Sequence, residues 1–358
     1  MPSITFELET VTPLFLAGAD QTTAELRPPA FRGALRYWFR AIAGSYYWND
    51  SSLTQLRKIE SELLGDTTKG SSNIIVRLSK IPNELQLSPV RLDQDQNPGL
   101  SYLWFSMKGS GGRNPRPQRL ALGVKTPLQF SLTLSTRPNP RNSEQQENNL
   151  LIAANCFWLA VNLGGFGSRE RRGAGSLRVR AVSYQGIDDT QVPLFIISNY
   201  KPSTICNYLR GEFKKVRNNS WRLLGFDIEQ MPQIEQMPSL EIYSKYTSKV
   251  LFLKEPYSDW KQALESIGEK YKIYRQRLAL EKRAIFGLPL MKFNPNTRRA
   301  SPLRIKVIQS GNRYYCLLSQ IKASFPEDSK IKNYRSPSYR SVNEFIASFS
   351  EDEIQTIG

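Results

Sequence analysis

Thirteen residues beginning at Gly164, GGFGSRERRGAGS, combine five glycines with three arginines. A guanidinium group is a flat fork of N–H donors that matches phosphate oxygens, and glycine lets a backbone approach an anion closely. Read alone, Gly164-Gly165 is a helix C-cap that reverses the chain in αL geometry. That reading leaves Gly167, Gly173 and Gly175 unexplained, together with Arg169, Arg171 and Arg172. A helix C-terminus carries the wrong dipole sign for an anion, so affinity has to come from guanidinium forks and glycine-permitted turns. The loop, from Gly165 through Gly175, is the leading candidate for a sugar–phosphate contact.

A second cluster is FRGALRYWFRAI, Phe31 to Ile42. Arg32, Arg36 and Arg40 recur every fourth residue, so one helix face presents three guanidinium groups in line. Like charges at that spacing cost a few tenths of a kcal/mol each, a cost relieved by a polyanion or by carboxylates from elsewhere in the fold. Tyr37 and Trp38 border that face and offer rings on which bases stack; the competing reading puts Trp38 in the core, where Phe39 is assigned. A weaker cluster, NTRRASP, places Arg298 and Arg299 in a turn entering a strand, as a solvated loop or a nucleic-acid contact.

Composition narrows the chemistry. The chain has 358 residues, with 49 Lys and Arg against 32 Asp and Glu, a formal charge of +17. That excess favours polyanionic partners, nucleic acid first. The sequence contains no histidine, which excludes imidazole bases, histidine triads and histidine-ligated metals. Cys156, Cys206 and Cys316 are widely spaced and lack CxxC pairing, arguing against a thiolate metal site or a disulfide framework. Asp20 and Glu25 remain as candidates for Mg²⁺ binding or general-base work, but no DxD or ExxE pattern supports them. No cofactor is expected. The amino terminus lacks a signal-peptide pattern, and the most apolar run, Leu150 to Leu163, is too short to span a bilayer, so a cytoplasmic protein is expected.

These clusters need elements to hold them. ITFELE (from Ile4), NIIVRLSK (from Asn73), SYLWFSM (near Tyr102), PLQFSLTLST (from Pro127) and SLRVRAVSY (from Ser176) read as strands. Phe31–Ala43 reads as a helix entered through a double proline, and a buried helix spans about Glu147 to Leu163. The order β-α-β…β-α-β is that of a ferredoxin-like fold. It excludes a Rossmann site, since the glycine loop follows a helix rather than a strand. A boundary near Asp188–Asp189 divides a domain of residues 1–189 from a second α+β domain, 190–358. The latter holds strands at Val192 and Lys249, a helix from about Ser258 to Arg283, and a hairpin at Gly311-Asn312. That helix carries Lys261, Lys270, Lys272 and Arg275 opposite its apolar stripe.

TPLFLAGAD, ELRPPAFRGALRYWFRAI, GGFGSRERRGAGS, IFGLP and RRASPL, taken in this order, resemble the RAMP superfamily of CRISPR-associated proteins. Within it they are most similar to the first-numbered RAMP subunits of the Cmr (type III-B) effector complex. The resemblance runs from about Thr12 to Leu303. It implies an α+β protein of two ferredoxin-like, RRM-related domains packed together, with the glycine loop crossing near the central helix. It further implies a non-catalytic ribonucleoprotein subunit in antiviral defence. Such a subunit contacts single-stranded guide or target RNA near the guide's 3′ end, beside other RAMP subunits. Target cleavage in that family belongs to a different, backbone-forming subunit. The Lys108–Arg119 segment and the missing histidines are departures particular to this chain. On this reading, replacing Arg171 and Arg172 together weakens RNA binding and flattens its salt dependence. Two other readings stay open: a metal-independent endoribonuclease that processes repeat RNA, and a mainly structural subunit docking through the helix from Ser258.

Overall fold

A computed structural model describes the chain except for residues 19–23, 50, 68–69, 112–114, 116, 139–141, 199, 230, 232, 289–297 and 326–337. The fold is α+β, with antiparallel sheets and packed helices. In chain order the first half holds β1 (Ser3–Thr10), α1 (Pro28–Ala43), α2 (Leu53–Leu64), β2 (Ile74–Ser79), β3 (Leu87–Pro89), α3 (Pro98–Leu103), β4 (Leu120–Leu122), β5 (Gln129–Thr136), α4 (Ser143–Asn162) and β6 (Leu177–Gln185). The second holds α5 (Pro202–Leu223), β7 (Ser248–Leu253), α6 (Trp260–Gln276), α7 (Leu280–Arg283), β8 (Leu303–Ser310), β9 (Arg313–Ile321), α8 (Arg340–Ala347) and β10 (Ile354–Thr356).

The first large sheet has the order β2-β5-β1-β6 and the second β10-β7-β9-β8. Each is a β-α-β-β-α-β unit whose strands lie fourth, first, third, second when the second sheet is read across, and in the reverse sense in the first. The repetition is therefore one of topology. Alternation explains why the strands form: on β1, Ile4, Phe6 and Leu8 point into the core, while Thr5 and Glu7 face outward. On β7 and β9 both faces are covered. Val250, Phe252, Tyr315 and Leu317 join the core built on α1, α4 and α5, whereas Leu251, Leu253, Cys316 and Leu318 join the core under α6 and α8. The second sheet is thus the filling between two helical layers.

Packing crosses residue 189 in both directions. Ile205, Leu209, Phe213 and Val216 of α5 bury against the first unit's core, and α3 seats on α6. At that crossing a Cβ on Gly268 would lie 2.5 Å from the Gly99 carbonyl oxygen, so only a glycine pair lets the two helices come so close.

Several expectations are corrected. SYLWFSM is not a strand. Pro98 opens α3 at its first turn, and Leu100, Leu103, Trp104 and Met107 bury at helical spacing through a following 3₁₀ turn. The stretch at Val192 is extended but pairs with no strand among the described residues. The helix from Ser258 ends at Gln276 and resumes only as the single turn α7. Helix α4 starts earlier than its apolar run, because the Asn142 side chain caps it by accepting from the Gln145 N–H at 2.9 Å. Helices α2, α5 and α8 were not anticipated. Among the described residues no helix is long and apolar enough to cross a membrane.

Candidate nucleic-acid interface

The glycine loop leaves α4 at Leu163, whose φ of −114° is right-handed, and neither Gly164 nor Gly165 has a positive φ. The αL reversal expected there falls later, at Gly167, Gly173 and Gly175, and at Arg169, which holds φ 63° as a non-glycine. At Gly175 a Cβ would overlap the Phe166 carbonyl, so glycine is required for contact as well as for φ. Several of the loop's backbone donors close turns within it, and two go to the TPLF segment. Gly175 N–H donates to the Pro13 carbonyl at 2.8 Å and Ser168 N–H to Phe15 at 2.8 Å. The Thr12 hydroxyl donates to the Gly173 carbonyl at 2.7 Å and accepts from Ser176 N–H at 2.8 Å. The far side of the loop closes the outer edge of β8. Ile305 N–H donates to the Arg171 carbonyl at 3.1 Å, and Arg172 Nη1 donates to the Leu303 carbonyl at 2.9 Å. An exposed strand edge is thereby covered, and the two units are joined.

The arginines divide by partner. Arg172 is 8% exposed; besides Leu303 it donates to the Tyr271 hydroxyl at 2.9 Å and the Phe286 carbonyl at 3.2 Å. Arg171 donates to Glu241 at 2.5 and 2.9 Å and to the Ser301 carbonyl. The same carboxylate accepts from the Tyr37 hydroxyl at 2.6 Å. Burial works against the Glu241 charge, but Arg171 and Arg304 outweigh it and hold the carboxyl below the usual glutamate value. Arg304 lies 4.3 Å from the centre of the Tyr37 ring and pairs with Glu170. Although Arg171 and Arg172 both line a groove, their guanidinium donors are engaged inside the fold, and they are therefore stitching residues. The same holds on α1. Glu60 of α2 accepts from Arg36 at 2.7 Å and from Arg40 at 2.6 and 2.7 Å, so a carboxylate relieves the like-charge stripe. Arg40 keeps 48% of its side chain exposed. Arg32 Nε is buried with no hydrogen-bond partner. Trp38 is 1% exposed and stacks on Tyr243 at 5.7 Å, so it presents no ring to a base.

Arg171 and Arg172 share one groove of about 660 Å³ with the remaining arginines. Its walls bring together Arg169 and Gly167 from the glycine loop, Arg275 from α6, and Arg298 and Arg299 from the basic turn. Two clusters some 130 residues apart in sequence thus meet at one site. None of these four arginines pairs with a carboxylate among the described residues. Arg169 donates to the Ser106 hydroxyl at 2.7 Å and lies 4.6 Å above the centre of the Phe105 ring, which is 63% exposed. Burial, with the Arg172 charge beside it, pulls the Arg169 pKa down to about 10, a shift an anion would reverse. Arg275 Nε is buried without a partner among the rings of Tyr102, Tyr271 and Phe286. Arg299 is held by the Ile285 carbonyl at 2.9 Å and the Tyr339 hydroxyl at 2.6 Å. Arg298 and Arg299 also line a second cavity of about 290 Å³ that reaches Tyr37, Arg40 and Glu241. All three sequence clusters therefore border two neighbouring cavities that share Arg298 and Arg299 as lining. Sequence reasoning missed Phe105, read as part of a strand, and placed Arg275 opposite the apolar stripe of its helix without a role at this site.

The groove wall carries one carboxylate, Glu170, and Arg304 and Arg171 both approach it. Asp20 lies outside the described residues. Glu25 is exposed and pairs with Arg27 at 3.8 Å. Among the described residues no group of three or more His, Cys, Asp or Glu side chains is arranged to hold a metal ion.

Residues 7–178, β1 through the end of the glycine loop, match the RAMP superfamily model. CRISPR system Cmr subunit Cmr1-2 of Pyrococcus furiosus is 31% identical over 182 residues, 49% of this chain and 94% of the relative. The chain belongs to the RAMP superfamily, in its Cmr1 family. Cmr subunit Cmr1-1 of the same organism is 29% identical over 319 residues, covering 87% of this chain and 84% of the relative. The crystal structure of apo Cmr1 from Pyrococcus furiosus superposes with a TM-score of 0.65 at 23% identity, over 100% of this chain and 99% of that one. A chain in the cryo-EM structure of the type III-B Cmr-beta complex bound to cognate target RNA gives a TM-score of 0.58 at 12% identity, over 96% and 98% of the two chains. The family resemblance read from the arginine helix and the glycine loop is thus confirmed. The fold extends over the whole of both solved chains.

Proposed function

We propose that this chain is a non-catalytic, RNA-binding subunit of a type III-B Cmr ribonucleoprotein, holding single-stranded guide or target RNA in the arginine groove. The observation that carries the reading is the convergence of Arg169, Arg275, Arg298 and Arg299, without carboxylate partners among the described residues, beside the exposed ring of Phe105. Unpaired guanidinium groups supply phosphate affinity without reading sequence, and an exposed aromatic ring supplies stacking for any base. The second cavity, which shares Arg298 and Arg299 and reaches Arg40, offers the strand a neighbouring subsite. Family membership supports the assembly: the named relatives are Cmr subunits, and a solved chain of the same fold sits in a complex bound to cognate target RNA. Within such a complex the chain works toward the 3′ end of the guide, where it helps to capture the target. The absence of histidine from the sequence and the engagement of Glu170 by arginines favour binding over cleavage.

The test is titration of the purified chain onto end-labelled single-stranded and duplex RNA, followed by a denaturing gel. Preference for the single strand with every molecule intact supports the proposal. RNA cut by the wild type but not by Asp20→Ala would replace it with the endoribonuclease reading.

A further inference from the structure

At the far end of β6, roughly 25 Å along the strand from the glycine loop, the surface changes character. Residues 181–200 contain no Lys or Arg, and neither do the first two turns of α4, in a chain of charge +17. The charges on those stretches are carboxylates, Asp188, Asp189, Glu144 and Glu147, with Asp188 N–H on Glu147. From α5, Glu212 accepts from Leu194 N–H at 2.9 Å and Lys215 donates to the Thr190 and Val192 carbonyls at 3.3 Å. Arg180, at the start of the edge, is paired with Glu9 at 3.2 Å. Four of the twelve exposed large apolar side chains among the described residues also fall here. They are Tyr184 at 38%, Leu194 at 61%, Ile196 at 44% and Tyr200 at 39%. An apolar patch rimmed by acid repels RNA and attracts protein.

The backbone says how. β6 is an outer strand of its sheet, and residues 180–185 are exposed except for half-buried Val182. The extended segment from Val192 follows it in the chain, pinned by the Phe195 ring on Phe6 at 4.7 Å and by Trp158 Nε1 donating to the Leu194 carbonyl at 2.7 Å. Phe6 is paired across the sheet with Val182 of β6 and Leu132 of β5, so the segment packs on the sheet face behind β1, one strand in from the free edge. The backbone groups of Phe195, Ile196 and Ile197 make no hydrogen bond among the described residues. We propose that the outer edge of β6 with Leu194 and Ile196 is the docking surface for a neighbouring protein subunit, which adds an apolar strand flanked by lysine or arginine. This rests on the reading of the chain as a Cmr subunit, but not on the arginine groove.

The test co-expresses the tagged full chain with the remaining subunits of its type III-B complex and compares wild type with Leu194→Asp/Ile196→Asp and with the milder Leu194→Ser/Ile196→Ser. RNA affinity and melting temperature of the isolated chains report folding. Loss of about thirtyfold in recovered subunits, the scale of one hot-spot pair, with RNA affinity unchanged, is expected. So is slowed amide exchange at residues 180–185 and 195–197 in the wild-type assembly. Full recovery with both well-folded pairs, or exchange at those amides unaltered, overturns the docking surface alone. A concentration-dependent dimer of the isolated chain that Leu194→Asp/Ile196→Asp abolishes would make the occupant a second copy and overturn the choice of partner. No subunits recovered by wild type would sink the subunit reading itself.

Discussion

Replacing Arg169 and Arg298 with alanine tests the groove quantitatively. Four guanidinium groups there lack carboxylates among the described residues, and single-stranded RNA releases about 0.7 counterion for each phosphate neutralised. The slope of log K against log salt is then about −3 for the wild type and about −1.5 for the double variant. Between 50 and 200 mM salt, wild-type affinity falls roughly fiftyfold and the variant's roughly sevenfold. Fluorescence anisotropy with a labelled unstructured oligonucleotide, at four or more salt concentrations, reads both numbers. Arg171 and Arg172 are the wrong targets for this purpose, because their loss unpicks Glu241 and the β8 edge and reports on the fold. A variant whose slope matches the wild type, with an unchanged melting temperature, would refute the assignment of phosphates to this groove.

Three further outcomes follow from particular residues. Because Arg169 holds φ 63°, Arg169→Gly should be more stable than Arg169→Ala by about 1 kcal/mol, the reverse of the usual order in helices, as read by urea unfolding. Lys306 is 2% exposed, its Nζ has no partner, and burial pulls its pKa down to about 7, below the unfolded value. Wild-type stability should therefore climb as pH rises from about 7 toward 10, and Lys306→Met should remove the climb and gain about 1–3 kcal/mol at neutral pH. At Glu60 burial raises the carboxyl pKa, but Arg40 and Arg36 outweigh it and the folded value lies below the unfolded one. Its contribution is complete above the unfolded carboxylate value and lost as pH falls through the folded one. Glu60→Gln should cost about 2 kcal/mol at pH 7, and the gap to wild type should close on acidification below about pH 4.

The strands of both sheets were legible wherever one face is buried, because Ile4, Phe6 and Leu8 alternate with polar neighbours and no helix shares that period. The run around Tyr102 was not, since a short apolar stretch fits strand and helix alike until Pro98 is given its role as a helix opener. Helix α5 hid for the opposite reason. Ile205, Leu209, Phe213 and Val216 keep helical spacing, yet the residues between them are polar enough to pass for a loop. At the site, residue type was readable and direction was not. Arg169 and Arg172 are equivalent in sequence, and the difference between them is made by Leu303, Tyr271 and Phe286, about a hundred residues or more away. Burial of Trp38 likewise depends on Tyr243, which local spacing does not reveal.

The bond from Arg172 to Leu303 spans 131 residues, and it closes the loop that walls the groove. A ribosome adding 5–20 residues per second needs roughly 7–26 s to make the second partner after the first has emerged. For nearly all of that interval the glycine loop has no β8 edge to lie on, and Arg298 and Arg299 do not yet exist. A nascent chain therefore exposes arginines but no groove, and on the function proposed above RNA capture should begin only when synthesis has passed β8.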